Sequence, residues 1–244
     1  LIVSRGLGDV YKRQGAHPDD VELSCAGTLA KEIAHGKQVA ILDLTQGELG
    51  TRGTAEIRAK EAKKAADILG ATARYNLNFA DGFFENNKAH QLQLAAYIRL
   101  LKPDMVLCNA VEDRHPDHGR AAALVLESCF LSGLQQVKTT HKGQSQDAWR
   151  PKQVYHYIQW NDAQPDFVVD ISAYIDTKLE AVNAYGSQFF NPKTVAPETP
   201  ISSQNFLDSV RYRTANLGRL IGVAHAEGFT AARLLAVDRI NDLM

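Results

Sequence analysis

The sequence predicts an α/β fold of the Rossmann-like kind: one domain with a parallel or mostly parallel sheet and helices on both faces. Strand-like apolar runs alternate with helical patterns through at least the first 130 of the 244 residues, which is typical of such a sheet. One cluster of polar residues follows a predicted strand and another lies where a core strand should precede it, and ligands bind beyond the carboxyl ends of parallel strands. The fold class therefore predicts that the two clusters meet.

The first cluster, residues 15–22 (GAHPDDVE), places one imidazole and three carboxylates at the start of a predicted helix. Asp19 and Glu22 have the spacing of a capping box, so helix capping explains part of the cluster. Capping does not explain His17, nor the second cluster at residues 115–118 (HPDH). A solvated loop or a helix cap stays open for either cluster alone, but the pair predicts a catalytic metal site.

The ligand types favour a catalytic metal over a structural one. Two histidines and one carboxylate leave the fourth tetrahedral position of zinc open, whereas structural zinc is usually closed by thiolates. A zinc ion at such a site activates water and polarises a carbonyl, which suits hydrolysis of an amide, and a spare carboxylate can serve as general base. None of Cys25, Cys108 and Cys129 lies near either cluster.

Composition and net charge limit the kinds of partner that this protein can bind. A net charge of −1 gives no field to hold nucleic acid or an anionic membrane, and no apolar run approaches the ~20 residues of a spanning helix. We expect a small-molecule partner and a homo-oligomer. Three cysteines without a CxxC pair predict buried thiols in a reducing compartment, hence the cytoplasm.

Periodicity and turn residues assign the remaining elements. Helices are predicted at residues 21–35, 54–69, 89–101, 121–131, 173–185 and 206–221. Strands are predicted at residues 39–44, 74–79, 105–109, 154–159, 167–171 and 233–237, with a turn at 226–229. Residues 138–150 are expected to be an exposed loop, and the proline-rich residues 191–203 an irregular lid or interface arm.

The loop at residues 45–53 (TQGELGTRG) is rich in glycine but lacks the spacing of a phosphate-binding loop. It is either a loop that contacts the substrate through the polar side chains of Glu48 and Arg52, or an ordinary turn. On the following helix, Arg58 and Glu61 have the spacing of a surface ion pair.

The first fourteen residues fit a buried strand poorly, although a core strand should precede residue 15. They also lack the features of a signal peptide. We therefore expect residues 1–14 to be a truncated or non-native leader and residues 15–244 to be the functional domain.

The motifs resemble those of the LmbE-like or PIG-L family of zinc-dependent N-acetylglucosamine deacetylases. The family's pattern is matched by AHPDDVE at residues 16–22 and by the HPDH motif. The segments GELGTRGT (47–54), YGSQF (185–189) and IGVAHAEGF (221–229), together with Arg58 and Glu61, resemble its bacillithiol-biosynthesis branch. One departure is His225, where that branch leads us to expect a tyrosine; another is the leading strand, which is missing or replaced.

The resemblance implies a role for each matching residue. His17, Asp20 and His118 would be zinc ligands, Asp19 the base, and His115 the group that stabilises the oxyanion and protonates the departing amine. Asp117 would orient a histidine from behind it. Arg58 and Arg114 would bind the malyl carboxylates of N-acetylglucosaminyl-malate, and Glu48 and Tyr185 would also contact the substrate. The implied reaction is removal of the N-acetyl group.

Other functions stay open. Two histidines and one carboxylate also form the Fe(II) site of some oxygenases, although the His-x-x-Asp spacing and the α/β context fit that class poorly. A sugar-binding module that only holds a cation would not need Asp19. Within the deacetylases, another N-acylglucosaminyl compound or a thiol-conjugate amide is an alternative substrate, and Fe²⁺ is an alternative to zinc.

Overall fold

The computed structural model describes residues 10–193 and 195–243, and it confirms the α/β class. In this part of the chain, seven strands form one sheet in the order β3-β2-β1-β4-β7-β9-β8, and β5 and β6 form a separate hairpin. The strands are β1 (Val10–Gly15), β2 (Gln38–Thr45), β3 (Ala73–Phe79), β4 (Met105–Cys108), β5 (Thr140–His141), β6 (Gln144–Ser145), β7 (Gln153–Tyr157), β8 (Phe167–Asp170) and β9 (Ala226–Ala231).

The sheet is mostly parallel, as predicted. Strands β3, β2, β1, β4 and β7 run parallel to one another, while β9 pairs antiparallel with both β7 and β8. The segments that follow the neighbouring strands β1 and β4, each a loop and the start of the next helix, carry the two polar clusters. This arrangement places both clusters at one edge of the sheet.

Helices cover both faces. The helices are α1 (Asp20–Ala34), α2 (Ala55–Leu69), α3 (Lys88–Leu101), α4 (Pro116–Ser132), α5 (Ile175–Asn183) and α6 (Gln204–Leu220), with short 3-10 turns at Ser172–Tyr174 and Ile240–Leu243. Residues of α1, α2 and α5 share one core cluster, and residues of α3 and α4 share another. Alternate residues of β2 enter the two clusters, Ile41 the first and Leu42 the second, as expected for a strand buried on both faces.

Local sequence signals explain several helix ends. Thr54 caps α2 by accepting a hydrogen bond from the Ile57 amide, and Gly70 ends it with φ of 76°. All three cysteines are buried. No helix in the described residues is long and apolar enough to cross a lipid bilayer.

Element predictions were wrong in four places. The backbone at Val10–Gly15 forms the central strand β1 although the leader lacks an apolar pattern, because β2 and β4 each offer it a parallel edge. Residues 226–229, expected as a turn, belong to β9, whereas residues 233–237 form no strand. Helix α4 begins at Pro116 and so includes most of the second cluster. Residues 1–9 of the expected leader lie outside the described part of the chain.

Candidate metal centre

The two polar clusters meet at the carboxyl ends of β1 and β4. The ring centroid of His17 lies 4.7 Å from that of His115 and 5.8 Å from that of His118. Ligand atoms of these three histidines lie within 4.8 Å of one another, and so do those of His17, Asp81 and Asp117. The sheet topology therefore joins residues that are about a hundred positions apart in sequence.

Asp20 lies between the two predicted histidine ligands. Its Oδ1 is 3.2 Å from His118 Nε2, and its Oδ2 is 3.6 Å from His17 Nδ1. Ligand atoms around a tetrahedral zinc ion are about 3.3 Å apart when each lies ~2.0–2.1 Å from the metal. Each histidine nitrogen is therefore close to that distance from one Asp20 oxygen, and two imidazoles with a carboxylate form a donor set that suits a divalent cation.

The other nitrogen of His17 faces two carboxylates. Nε2 lies 2.9 Å from Asp81 Oδ1 and 3.2 Å from Asp117 Oδ2. Asp117 also accepts hydrogen bonds from the Gly82 amide and from Arg120, which fix its position. Asp81 and Asp117 thus hold Nε2, and Nδ1 is the nitrogen that faces Asp20. The close grouping of His17, Asp81 and Asp117 is therefore explained by hydrogen bonding to the His17 ring.

His118 is oriented in the same way by Asp113. Nδ1 of His118 lies 2.6 Å from Asp113 Oδ2, which leaves Nε2 to face Asp20. Asp113 also accepts hydrogen bonds from the backbone amides of Asn161 and Arg114. Asp81 and Asp113 were not among the predicted site residues, since neither lies inside the HPDD or HPDH motif.

Two amide side chains hold Asp20, and neither was predicted from the sequence. Asn109 donates to Oδ2 over 3.0 Å, and Gln159 donates to Oδ1 over 2.7 Å. Asn109 directly follows β4, a position that could have suggested a role, while Gln159 lies on the loop after β7 without a recognisable motif.

The field at this site favours positive charge. Burial opposes protonation of His118, but Asp20 and Asp113 outweigh it and raise the pKa of His118 to about 9. Burial likewise opposes protonation of His17, while Asp117, Asp20 and Asp81 raise its pKa. The carboxylates around both rings therefore create a site that attracts a cation.

Asp19 is the N-cap residue of α1, but its side chain does not cap the helix, contrary to the capping interpretation. It adopts φ of 116°, a left-handed conformation rare for a residue with a side chain, and its side chain makes no capping hydrogen bond. Instead, Arg58 donates to Asp19 Oδ2 over 2.9 Å. Burial raises the pKa of Asp19 to about 7, against the opposing effect of Arg58. A carboxyl group with such a pKa can exchange protons near neutral pH.

His115 lies beside both predicted ligands. Its side chain caps α4 by accepting a hydrogen bond from the Asp117 amide. Burial lowers the pKa of His115, and the charges of His17 and His118 lower it further. It thus faces the site mainly as a neutral imidazole.

The four residues predicted to contact the substrate lie in different surroundings. Arg114 is exposed at the cavity rim, and Arg58 lies in the cavity wall but also donates to the carbonyls of Gly47 and Pro18. Glu48 is exposed outside the cavity wall and accepts from the Asp81 amide. Tyr185 was wrongly placed: it is fully buried in the core cluster shared by α1, α2 and α5, because a sequence motif does not reveal the side chain's direction.

The structure also changes the predictions for Glu61 and Arg52. Glu61 accepts two hydrogen bonds from Ser187, so it holds the loop after α5 and does not pair with Arg58. Arg52 is buried and lies outside the cavity wall. Plain loop structure therefore accounts for Arg52.

The centre opens into a cavity of about 930 Å³. Its wall includes the two clusters on one side, and on the other the loop after β7, residues 199–201 of the proline-rich segment and much of α6. This volume is near the upper end of small-molecule sites, so a sugar with a substituent fits.

Comparison with known proteins now identifies the family. The model of the family described as PIG-L, GlcNAc-PI de-N-acetylase, matches residues 15–129, which include both clusters. The diacetylchitobiose deacetylase of Thermococcus kodakarensis is 30% identical over 183 residues, which cover 71% of this chain and 67% of that protein. This chain belongs to the PIG-L family.

Two further proteins are similar to this PIG-L protein. A probable N-acetyl-α-D-glucosaminyl L-malate deacetylase 2 of Bacillus anthracis is 27% identical over 193 residues, covering 71% of this chain and 78% of that protein. The crystal structure of a conserved protein from Thermus thermophilus has a TM-score of 0.83 and 36% identity, covering 95% of this chain and 98% of that chain. These comparisons support a deacetylase of N-acetylglucosamine-type substrates.

Proposed function

We propose that this chain is a zinc-dependent deacetylase that removes the N-acetyl group of N-acetylglucosaminyl-malate in bacillithiol biosynthesis. The observation that carries the proposal is the convergence of His17, Asp20 and His118 with Asp19 beside them in a large cavity. The similarity to the Bacillus anthracis protein supports malate as the substituent.

His17 Nδ1, Asp20 and His118 Nε2 would hold the metal. When bound there, a divalent ion such as zinc supplies Lewis acidity for a water molecule and for the scissile carbonyl. Asp81, Asp117 and Asp113 keep the two rings in the required orientation, and Asn109 and Gln159 fix the carboxylate of Asp20. Fe²⁺ is the alternative metal for the same donors.

Asp19 acts as the base. Arg58 holds Oδ2, so we assign Oδ1 as the atom that accepts the proton of the attacking water. The strained backbone at Asp19 turns the carboxylate away from capping and into the cavity wall. Arg58 thereby serves as the residue that positions the base.

His115 acts on the substrate's carbonyl side. Because its Nδ1 accepts the Asp117 amide, its other nitrogen is the one that donates to the carbonyl oxygen as negative charge develops there. In this proposal His115 also passes to the departing amine the proton that Asp19 took from the water, so its imidazole carries that proton only while the C–N bond breaks. Asp117 holds His17 and does not contact the substrate in this scheme.

The remaining assignments concern recognition and context. Arg114 at the rim would bind a malyl carboxylate, and its guanidinium carbon lies 4.3 Å from the centre of the Trp160 ring, which holds it in place. Arg58, three of whose five N–H donors are used by Gly47, Pro18 and Asp19, would have little left for the substrate, and Glu48 would act by holding the loop after β3. Cytoplasmic location and self-association stay predictions, the latter measurable by sedimentation.

The test combines metal analysis with amine release. We expect about one zinc per chain and release of amine from N-acetylglucosaminyl-malate faster than from free N-acetylglucosamine. Removing the metal with a chelator should abolish release, and added zinc should restore it. Amine release that survives complete metal removal would contradict the proposal.

A further inference from the structure

Arg213 is a partly buried cation in the cavity wall to which the proposed chemistry gives no role. It lies on α6, and its side chain is 29% exposed. Its ion-pair contact is with Asp162, whose Oδ1 lies 3.9 Å from Arg213 Nη2 and whose side chain is fully exposed. A separation of 3.9 Å is too long for a hydrogen bond, so Asp162 is a loose partner that can swing away.

Arg114 faces the same cavity. Its guanidinium lies over Trp160, and Trp160 also stacks on Phe206 of α6 with ring centroids 5.6 Å apart. Phe206 and Arg213 are seven residues apart and therefore lie on the same side of α6, about 10 Å apart along its axis. Trp160, which contacts Arg114, and Asp162, which contacts Arg213, thus lie on the same loop after β7.

The supply of carboxylates near these arginines is limited. Asp113 directly precedes Arg114, but its oxygens are occupied by His118 and by three backbone amides. Arg58 is also committed, since its terminal nitrogens donate to Asp19, Gly47 and Pro18. Of the cavity's arginines, Arg114 and Arg213 are therefore the ones best able to bind an external anion.

We propose that Arg213 and Arg114 form an anion subsite for the acidic substituent of the glycoside, with Arg213 as the residue that determines specificity for it. A dicarboxylate matches two guanidinium groups, each of which offers a planar pair of donors. Partial burial lowers the pKa of Arg213, which reflects the loss of water around its charge and is relieved by a bound carboxylate. This inference rests on the proposed function and assigns the second carboxylate to Arg213 in place of Arg58.

The test compares an acidic and a neutral substrate. Arg213→Gln should lower kcat/KM for N-acetylglucosaminyl-malate by about 10–100-fold, mainly through KM, and change kcat/KM for methyl N-acetylglucosaminide by less than about 3-fold. Arg211→Gln is the matched control, because Arg211 lies on the same helix but pairs with Asp176 at the surface and is outside the cavity wall. It should change neither substrate's kcat/KM.

A second variant distinguishes loss of the Arg213 charge from damage to the fold. Arg213→Lys keeps the charge and loses the planar fork, so it should retain part of the preference for the acidic glycoside, with a melting temperature near that of the wild type. Equal losses on both glycosides for Arg213→Gln, or no loss on either, would overturn the inference while leaving the deacetylase proposal intact.

Calorimetric titration distinguishes failure of the two proposals. If the wild type turns over neither glycoside, the proposed function fails. The subsite still predicts that wild-type protein binds N-acetylglucosaminyl-malate more tightly than methyl N-acetylglucosaminide, and that Arg213→Gln removes this difference. Equal affinities of the wild type for the two glycosides would reject the subsite itself.

Discussion

Each histidine proposed as a ligand has its second ring nitrogen held by a carboxylate from outside its own motif. Asp81 reaches His17 from the loop after β3, and Asp113 reaches His118 from the loop after β4. Such partners select the tautomer and orientation of a metal-binding imidazole. At the residue scale, the site therefore depends on the loops as much as on the two motifs.

The role of Asp113 leads to the first prediction at this scale. Asp113→Asn should weaken zinc binding by about 10–100-fold, because it removes the charge that holds His118 Nδ1. Competition with a chromophoric chelator measures the Kd. Asp67→Asn is the control, since Asp67 is exposed and pairs with Lys63 on the surface of α2. An unchanged zinc affinity for Asp113→Asn would show that His118 needs no such support.

The motif residues were predictable from sequence, and their supports were not. His17, Asp20 and His118 could be proposed as ligands because His and Asp are dense in two short segments and because these motifs resemble those of a known family. Gln159 and Asp81 lie in loops far away in sequence, and only the strand order brings them near Asp20 and His17. Tyr185 was misplaced because sequence similarity carries no information on which face of an element a side chain occupies.

At the scale of elements, a buried ion pair joins α1, α5 and β9. Lys178 of α5 donates to Glu227 of β9 over 2.6 Å, with both side chains only 1% exposed. Helix α1 is interrupted at Cys25, and Glu227 accepts the amides of Gly27 and Thr28 just beyond the interruption. The pair therefore completes hydrogen bonding that the helix itself leaves open.

Breaking this pair should destabilise the fold. Lys178→Met should lower the free energy of unfolding by roughly 3–5 kcal/mol, because it leaves the Glu227 carboxylate buried without its cation. Lys63→Met breaks an exposed pair with Asp67 and should cost no more than about 1 kcal/mol. Urea unfolding followed by circular dichroism measures both. Similar small losses for the two variants would show that the buried pair is not a major tie.

The helices were easier to predict from the sequence than β1, an interior strand of the sheet. Capping and periodicity located α2 almost to the residue, since Thr54 and Gly70 mark its ends. The sequence of β1 gave no apolar signal, and its place follows from pairing with both β2 and β4. Tertiary context therefore decided the one strand on which the first motif depends.

At the scale of the whole molecule, the site is built from two parts of the chain. The region that matches the family, residues 15–129, supplies the proposed ligands, the base and His115. Residues beyond it, on the loop after β7, the proline-rich segment and α6, supply the opposite wall of the cavity. Most of the proposed chemistry therefore lies in the region that matches the family, whereas recognition of the acidic substituent is shared between Arg114 in that region and Arg213 beyond it.

The central claim is that Asp20 holds the metal while Asp19 moves the proton, and paired measurements on two single variants test it. Asp19→Asn should keep about one zinc per chain and lower kcat by about 10²–10⁴-fold, because the amide cannot accept a proton. Asp20→Asn should instead lose zinc. The claim would be contradicted if Asp19→Asn lost its zinc while Asp20→Asn kept both zinc and activity, or if neither substitution changed the rate of amine release.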